Sequence, residues 1–163
     1  TNIKHMTRTL LIVIGIACAV IAAAGIMFYN PVSIARRQLY DKDPDVCWNA
    51  ITNLFKIRGK ASIPEFTRLL QSDNIVTRCL AAKALSYFGD KISIPEITKL
   101  LQDNEIVVRH SDICALVDLE GKKAIPNIKK LLNDKEEIIR QVAEYVLKKL
   151  GVPAEEIERA KSK

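Results

Sequence analysis

Residues 76–101 read VTRCLAAKALSYFGDKISIPEITKLL, and residues 107–132 read VVRHSDICALVDLEGKKAIPNIKKLL. Laid 31 positions apart, the two stretches share an early arginine, an Ala-Leu pair, a proline and a closing Leu-Leu. The same interval relates Pro64, Pro95 and Pro126, the pairs Leu69-Leu70, Leu100-Leu101 and Leu131-Leu132, and Arg78, Arg109 and Arg140. Leu54, Leu85, Leu116 and Leu147 carry the register into a fourth, partial unit, and Gly59, Gly89, Gly121 and Gly151 follow it with one-residue slips. Self-similarity at a fixed period of this size is the mark of a stacked repeat architecture.

Each unit reads as two helices. The first, as in Val76 to Phe88, places Val76, Leu80, Ala84, Leu85 and Phe88 at helical spacing and stops at a glycine, which supplies a left-handed C-terminal residue. The second opens with Ser62-Ile63-Pro64-Glu65 and again with Ser93-Ile94-Pro95-Glu96. That is the pattern of a capping box, with proline tolerated where first-turn amides have no intrahelical partner. Ala124-Ile125-Pro126-Asn127 lacks both capping side chains, so the third unit is expected to be the least well capped. One helix pair cannot cover its own apolar face, so three or more must stack.

The pattern Val-x-Arg-x-x-x-Ala-x-x-Leu, then Gly, then Ile-Pro-x-Ile-x-x-Leu-Leu-x-Asp resembles the short HEAT-like repeats of phycobilisome lyase subunits. The resemblance covers residues 43–151, departs from the pattern at Cys47, where the arginine belongs, and implies an all-α solenoid that binds proteins. It also implies that Arg78, Arg109 and Arg140, beside Asp73, Asp103 and Asp134, form hydrogen-bonding ladders between repeats. Two further columns are basic: Lys60, Lys91 and Lys122 at the inter-helix loop, and Arg68, Lys99 and Lys130 on the second helix. In solenoids of this kind the second helices line the concave binding surface, where a row of like charge attracts an acidic partner or anionic lipid head groups. A merely solvated face is the competing reading of both columns.

Outward from the repeats, Thr9 to Tyr29 reads TLLIVIGIACAVIAAAGIMFY, uncharged between Arg8 and Asn30-Pro31. As a helix it spans roughly 31 Å, enough for the ~30 Å hydrocarbon core of a bilayer. Lys4, Arg8 and Ala22-Ala23-Ala24 also fit a cleavable signal peptide, but the apolar run is long for one, so an uncleaved transmembrane helix is expected. Gly15, Ala19 and Ala23 lie four residues apart and offer a stripe for packing against another transmembrane helix. Residues 30–42 read as a juxtamembrane helix, with Val32, Ala35 and Leu39 on one face and Arg36 and Arg37 at head-group level. Residues 1–8 are then a flank, 9–29 the anchor, 43–151 the repeat domain and 152–163 a C-terminal capping helix or tail. A short basic N-terminus on a first span more often stays inside, placing the repeats in the periplasm or its equivalent.

The 163 residues are 48% hydrophobic and 27% charged, which excludes a disordered chain. A net charge of +6 with 6% aromatics is too mild a signature for nucleic acid. Cys18, Cys47, Cys79 and Cys114 form no CxxC pair and read as small apolar core residues. His5 and His110 are the only histidines, His110 reading as a helix-surface residue, and no nucleophile, phosphate-loop or metal motif is present. Asp112, Asp118 and Glu120 have no metal-ligand spacing. No catalytic residue, cofactor, metal or small-molecule substrate is expected. Three functions stay open. The first is an accessory or assembly subunit of a larger integral-membrane complex, contacting other membrane subunits. The second is a free-standing tethered adaptor for an acidic soluble protein. The third, more remote, is a lyase-like enzyme subunit.

Overall fold

The computed structural model describes residues 30–161 together with Ile14, Ile16 and Val20. Apart from those three positions, the segment 9–29 lies outside the described residues, as do its small residues Gly15, Ala19 and Ala23. Among the described residues no helix is long and apolar enough to cross a membrane.

Every regular element described is helical. The α-helices are α1 (Pro31–Gln38), α2 (Pro44–Arg58), α3 (Ile63–Leu69), α4 (Ile75–Tyr87), α5 (Ile94–Lys99), α6 (Ile106–Glu120), α7 (Ile125–Lys130), α8 (Glu137–Lys149) and α9 (Ala154–Lys161). Short 3-10 turns at Gly59–Ser62 and Gly121–Ala124 lead into α3 and α7, and Leu100–Gln102 and Leu131–Asn133 follow α5 and α7. The long first helices α2, α4, α6 and α8 stack in order, while α3, α5 and α7 each pack on the first helix that follows.

Local chemistry sets the first-helix starts. Asn30 Oδ1 accepts from Val32 N at 3.0 Å, Asp43 Oδ1 from Asp45 N at 2.9 Å and Asn74 Oδ1 from Val76 N at 2.9 Å, with Pro31 and Pro44 in the first turns of α1 and α2. The second helices begin differently, and the expected capping boxes do not form. Ser62, Ser93 and Ala124 all have helical backbone angles and give no side-chain cap, because a preceding turn already winds into each helix. A capping serine needs an extended backbone. Ser62 Oγ instead donates to Gly59 O at 2.6 Å, and Ser93 Oγ pairs with Thr67 Oγ1 of the preceding unit at 2.6 Å. Glu65, freed from capping, binds Arg36 Nε of α1 at 2.8 Å and Arg58 Nη1 at 3.2 Å. Arg36, expected at head-group level, is therefore tied to α3.

Gly89 ends α4 at φ +68°, with Asp90 N donating to Leu85 O at 2.9 Å, the closing bond of a Schellman turn. Gly59 also has positive φ, +56°, but with ψ −140° it turns the chain directly into the 3-10 segment.

The core is the repeat register made solid. Leu54, Leu85, Leu116 and Leu147 are fully buried, as are Ile97 and Ile128, and the leucine pairs are at most 8% exposed. Ala35 and Leu39 of α1 join this core at one end, and Ile157 of α9 joins it at the other. Cys47 is buried and Cys79 half-buried, but Cys114 is exposed, against the expectation that the cysteines are core residues. No described cysteine is disulfide-bonded.

Candidate functional site

Two features recur from unit to unit and point in different directions. One is an internal ladder. Arg78 Nη1 donates to Ser72 O at 2.7 Å, while its Nη2 and Nε reach Asp103 of the next unit at 3.0 and 2.9 Å. Arg109 repeats the arrangement, donating to Asp103 O at 2.7 Å and to Asp134 Oδ1 at 2.9 Å. The same aspartates cap the amides of Glu105 and Glu136 at 2.9 Å. Arg140 keeps the backbone contact to Asp134 O at 2.7 Å but has no further aspartate ahead of it. At the other end Cys47 stands in the arginine column and Ser72, whose Oγ accepts from Asn74 N at 3.2 Å, stands in the aspartate column, so Asp73, one residue on, falls outside the ladder it was expected to join. Cys47 Sγ and Thr77 Oγ1 instead both donate to Leu39 O at 3.1 Å, joining α1 to the stack. These arginines are structural: Arg109 is only 2% exposed.

The other feature faces solvent. Arg68, Lys99 and Lys130 are exposed near the ends of α3, α5 and α7, and Lys60, Lys91 and Lys122 are exposed in the turns before those helices. Between α3 and α5 lies an open groove of about 790 Å³. Lys60, Arg68 and Lys99 line it together, with Ile63, Pro64 and Ile92 as apolar walls and Phe88 as floor. Lys130 lines the next groove, about 430 Å³, with the ladder residues Arg109, Asp103 and Asp134. Lys91 and Lys122 line neither. The structure thus joins one member of the loop column to two of the second-helix column and leaves the rest apart.

Phe88 sits in an aromatic cluster. Its ring stacks on Phe55 at 3.6 Å between centroids and lies 5.9 Å from Phe66, and Tyr87 and Trp48 continue the cluster outward with Lys83 over the indole at 5.0 Å. The groove's acids are already engaged: Asp90 accepts from Ser93 N at 3.0 Å, and Glu96 holds Lys99 Nζ at 2.7 Å. Lys130 Nζ donates to Asn127 Oδ1 at 3.2 Å. Lys60 and Arg68 have no partner among the described residues, so the groove's uncompensated charge is positive.

Sequence reasoning placed Phe88 in the helix core and missed its groove face. It also missed Asp112, which is fully buried with neither carboxylate oxygen hydrogen-bonded among the described residues. The signal was available: the register sets Asp112 where Ala50, Ala81 and Ala143 stand in the other units, all equally buried. Burial, with Asp103 nearby, pushes its carboxyl up to about 8.

Burial raises the thiols of Cys47 and Cys79, that of Cys47 to about 11, the opposite of an activated nucleophile. Among the described residues no group of three or more His, Cys, Asp or Glu side chains is placed to hold a metal ion. None of the curated proteins compared with the chain matches it. The profile of HEAT repeats matches residues 32–111 and again 63–148. Stacked helix pairs, an arginine–aspartate ladder and a match spanning most of the chain agree: this protein belongs to the HEAT-repeat family, whose members are in general protein-interaction scaffolds.

Proposed function

We propose that this chain is a membrane-tethered docking scaffold, an accessory or assembly subunit of a larger integral-membrane complex. The observation that carries the reading is the row Arg68, Lys99 and Lys130, exposed on successive second helices, with Lys60 and Arg68 unpaired among the described residues on the apolar groove between α3 and α5. Such a surface recognises an acidic partner, since charge complementarity steers encounter and excludes like-charged competitors. The tether is the apolar run Thr9–Tyr29, with Gly15, Ala19 and Ala23 as its packing stripe. The N-terminus lies inside and the repeats are extracytoplasmic. Arg37 and Lys42, both exposed, are the residues left for anionic head groups once Arg36 is held by Glu65. Within the family, the 31-residue period and the arginine and proline columns ally the chain with the short repeats of phycobilisome lyase subunits.

The test is a pull-down from solubilised membranes with Arg68→Glu, Lys99→Glu and Lys130→Glu combined. Co-purifying subunits are expected to fall about tenfold or more, with the thermal melt unchanged, because each exposed pair is worth only ~0–1 kcal/mol but reversal of all three turns attraction into repulsion. A folded variant that keeps its partners rules the docking face out. Recovery of wild type as a lone monomer would favour the tethered adaptor over the assembly subunit. Orientation is read with an impermeant thiol reagent on intact cells, using Lys122→Cys in a Cys114→Ser background because native Cys114 is itself exposed. Labelling from outside is expected.

A further inference from the structure

The groove between α3 and α5 differs from its neighbour along the same face. The neighbouring groove is smaller, and its one buried cation, Arg109, is neutralised by Asp134 at 2.9 Å. In the α3–α5 groove three cations, Lys60, Arg68 and Lys99, stand against two carboxylates: Glu96 holds Lys99, Asp90 accepts from Ser93 N, and Lys60 and Arg68 have no partner among the described residues, so the groove is net positive. Its apolar part is equally uncommitted. Ile92 is 89% exposed, the most exposed large apolar residue described, and lines the groove together with Ile63, Pro64 and Phe88. An aliphatic side chain left this open gains from being covered, because apolar surface is then removed from water. The floor needs no ordering on binding, since Phe55 and Phe66 already hold Phe88. At about 790 Å³ the groove is nearly twice the volume of its neighbour, room enough for one bulky side chain with flanking residues.

We infer that this groove is a peptide slot for a short acidic segment of a partner protein bearing one bulky apolar side chain, which seats between Ile92 and Pro64 over Phe88 while flanking carboxylates meet Lys60 and Arg68. The inference rests on the docking reading above and specifies its ligand. Specificity comes from the combination. A purely acidic chain finds the cations but leaves the apolar walls wet, and a basic or neutral apolar segment lacks the rim contacts.

The test uses the full chain in detergent micelles and fluorescein-labelled synthetic peptides read by fluorescence anisotropy. The parent peptide has a single phenylalanine flanked on both sides by aspartate and glutamate. One control replaces the phenylalanine with alanine, and another replaces every acid with its amide. Saturable binding of the parent is expected, weakened about tenfold or more in either control. Combining Lys60→Glu with Arg68→Glu should weaken the parent by a similar factor and leave the amide control unaffected. Ile92→Gln, an exposed substitution that leaves Phe88 and the fold untouched, should abolish most of the preference for phenylalanine over alanine. Circular dichroism melts confirm folding of each variant. Equal binding of the phenylalanine and alanine peptides, or insensitivity to Ile92→Gln, overturns the slot. So does displacement of the peptide by dihexanoyl phosphatidylserine at lower concentration than by unlabelled peptide, which would assign the groove to a lipid head group. If the peptides fail but the triple charge reversal still strips the co-purifying subunits, the slot falls and the docking face stands. Peptide binding with unchanged co-purification has the reverse meaning.

Discussion

Asp112 is the residue at which this chain departs most from its own repeat. Three units place a buried alanine there; the third places a carboxyl with no hydrogen-bond partner among the described residues. The folded state keeps the proton up to about 8, while an unfolded chain releases it near the ordinary aspartate value of 3.8. The folded form therefore binds more protons between those values, so this group's contribution to stability is fully present below about 4 and is lost as pH rises toward 8. Asp112→Ala should stabilise by about 1–3 kcal/mol, the usual cost of an unsatisfied buried polar group, and flatten the decline. Asp112→Asn should flatten it while keeping a polar group without a partner. Urea unfolding at several pH values checks both, and a wild type whose stability does not fall across this range would contradict the buried neutral acid. Glu144 has the opposite sign: Lys148 and Lys161 hold its carboxyl down at about 2, so its contribution is lost only in acid.

Between elements, the ladder and the leucine column divide the work. Leu116 of α6 is fully buried, and Leu116→Ala should cost roughly 2–5 kcal/mol through lost burial and the cavity left behind. The ladder arginines should not behave alike, because their surroundings differ. Arg109→Ala leaves Asp134, 8% exposed on its side chain, without its cation and should cost about 3–5 kcal/mol. Arg140→Ala removes backbone hydrogen bonds but no ion pair and should cost about 1 kcal/mol. Equal losses in thermal or urea unfolding would mean that the inter-repeat ion pair adds nothing. The same comparison separates structure from docking, since neither change touches Lys60 or Arg68.

At the scale of the whole molecule, a solenoid must close its ends, and α1 and α9 do so. The carbonyl of Leu39, at the end of α1, accepts from both Cys47 and Thr77, and Arg36 reaches across to Glu65. At the far end Ile157 is buried, Asn133 donates to Ala160 O at 3.2 Å and Lys161 reaches Glu144 at 2.7 Å. A fragment of residues 43–163 should therefore be less stable than one of residues 30–163 by at least ~2 kcal/mol, since it loses the buried Leu39 and Ala35 and leaves two donors without an acceptor. Denaturant unfolding of the two fragments measures this. Identical midpoints would make α1 a linker and not an end cap.

The 31-residue interval by itself determined the all-α class, the helix pairs and the buried leucine column, because a repeat can bury its apolar stripe only against a copy of itself. The resemblance to short HEAT-like repeats implied a ladder of Arg78, Arg109 and Arg140, although only the fold shows Arg78 and Arg109 each reaching the aspartate of the following unit. What escaped the sequence depends on chain path. Ser62 and Ser93 match a capping box in letters, but turns that wind directly into α3 and α5 give them helical backbone angles and other partners. Lys60, Arg68 and Lys99 belong to two sequence columns, and only the packing of α3 beside α5 sets them around one groove. Phe88 reads as core from its spacing, and its second role arises because Phe55 and Phe66 cover one part of the ring and leave another to the groove. Periodicity states which residues must be buried; which exposed residues share a surface is decided by how far apart the second helices sit once the first helices have stacked.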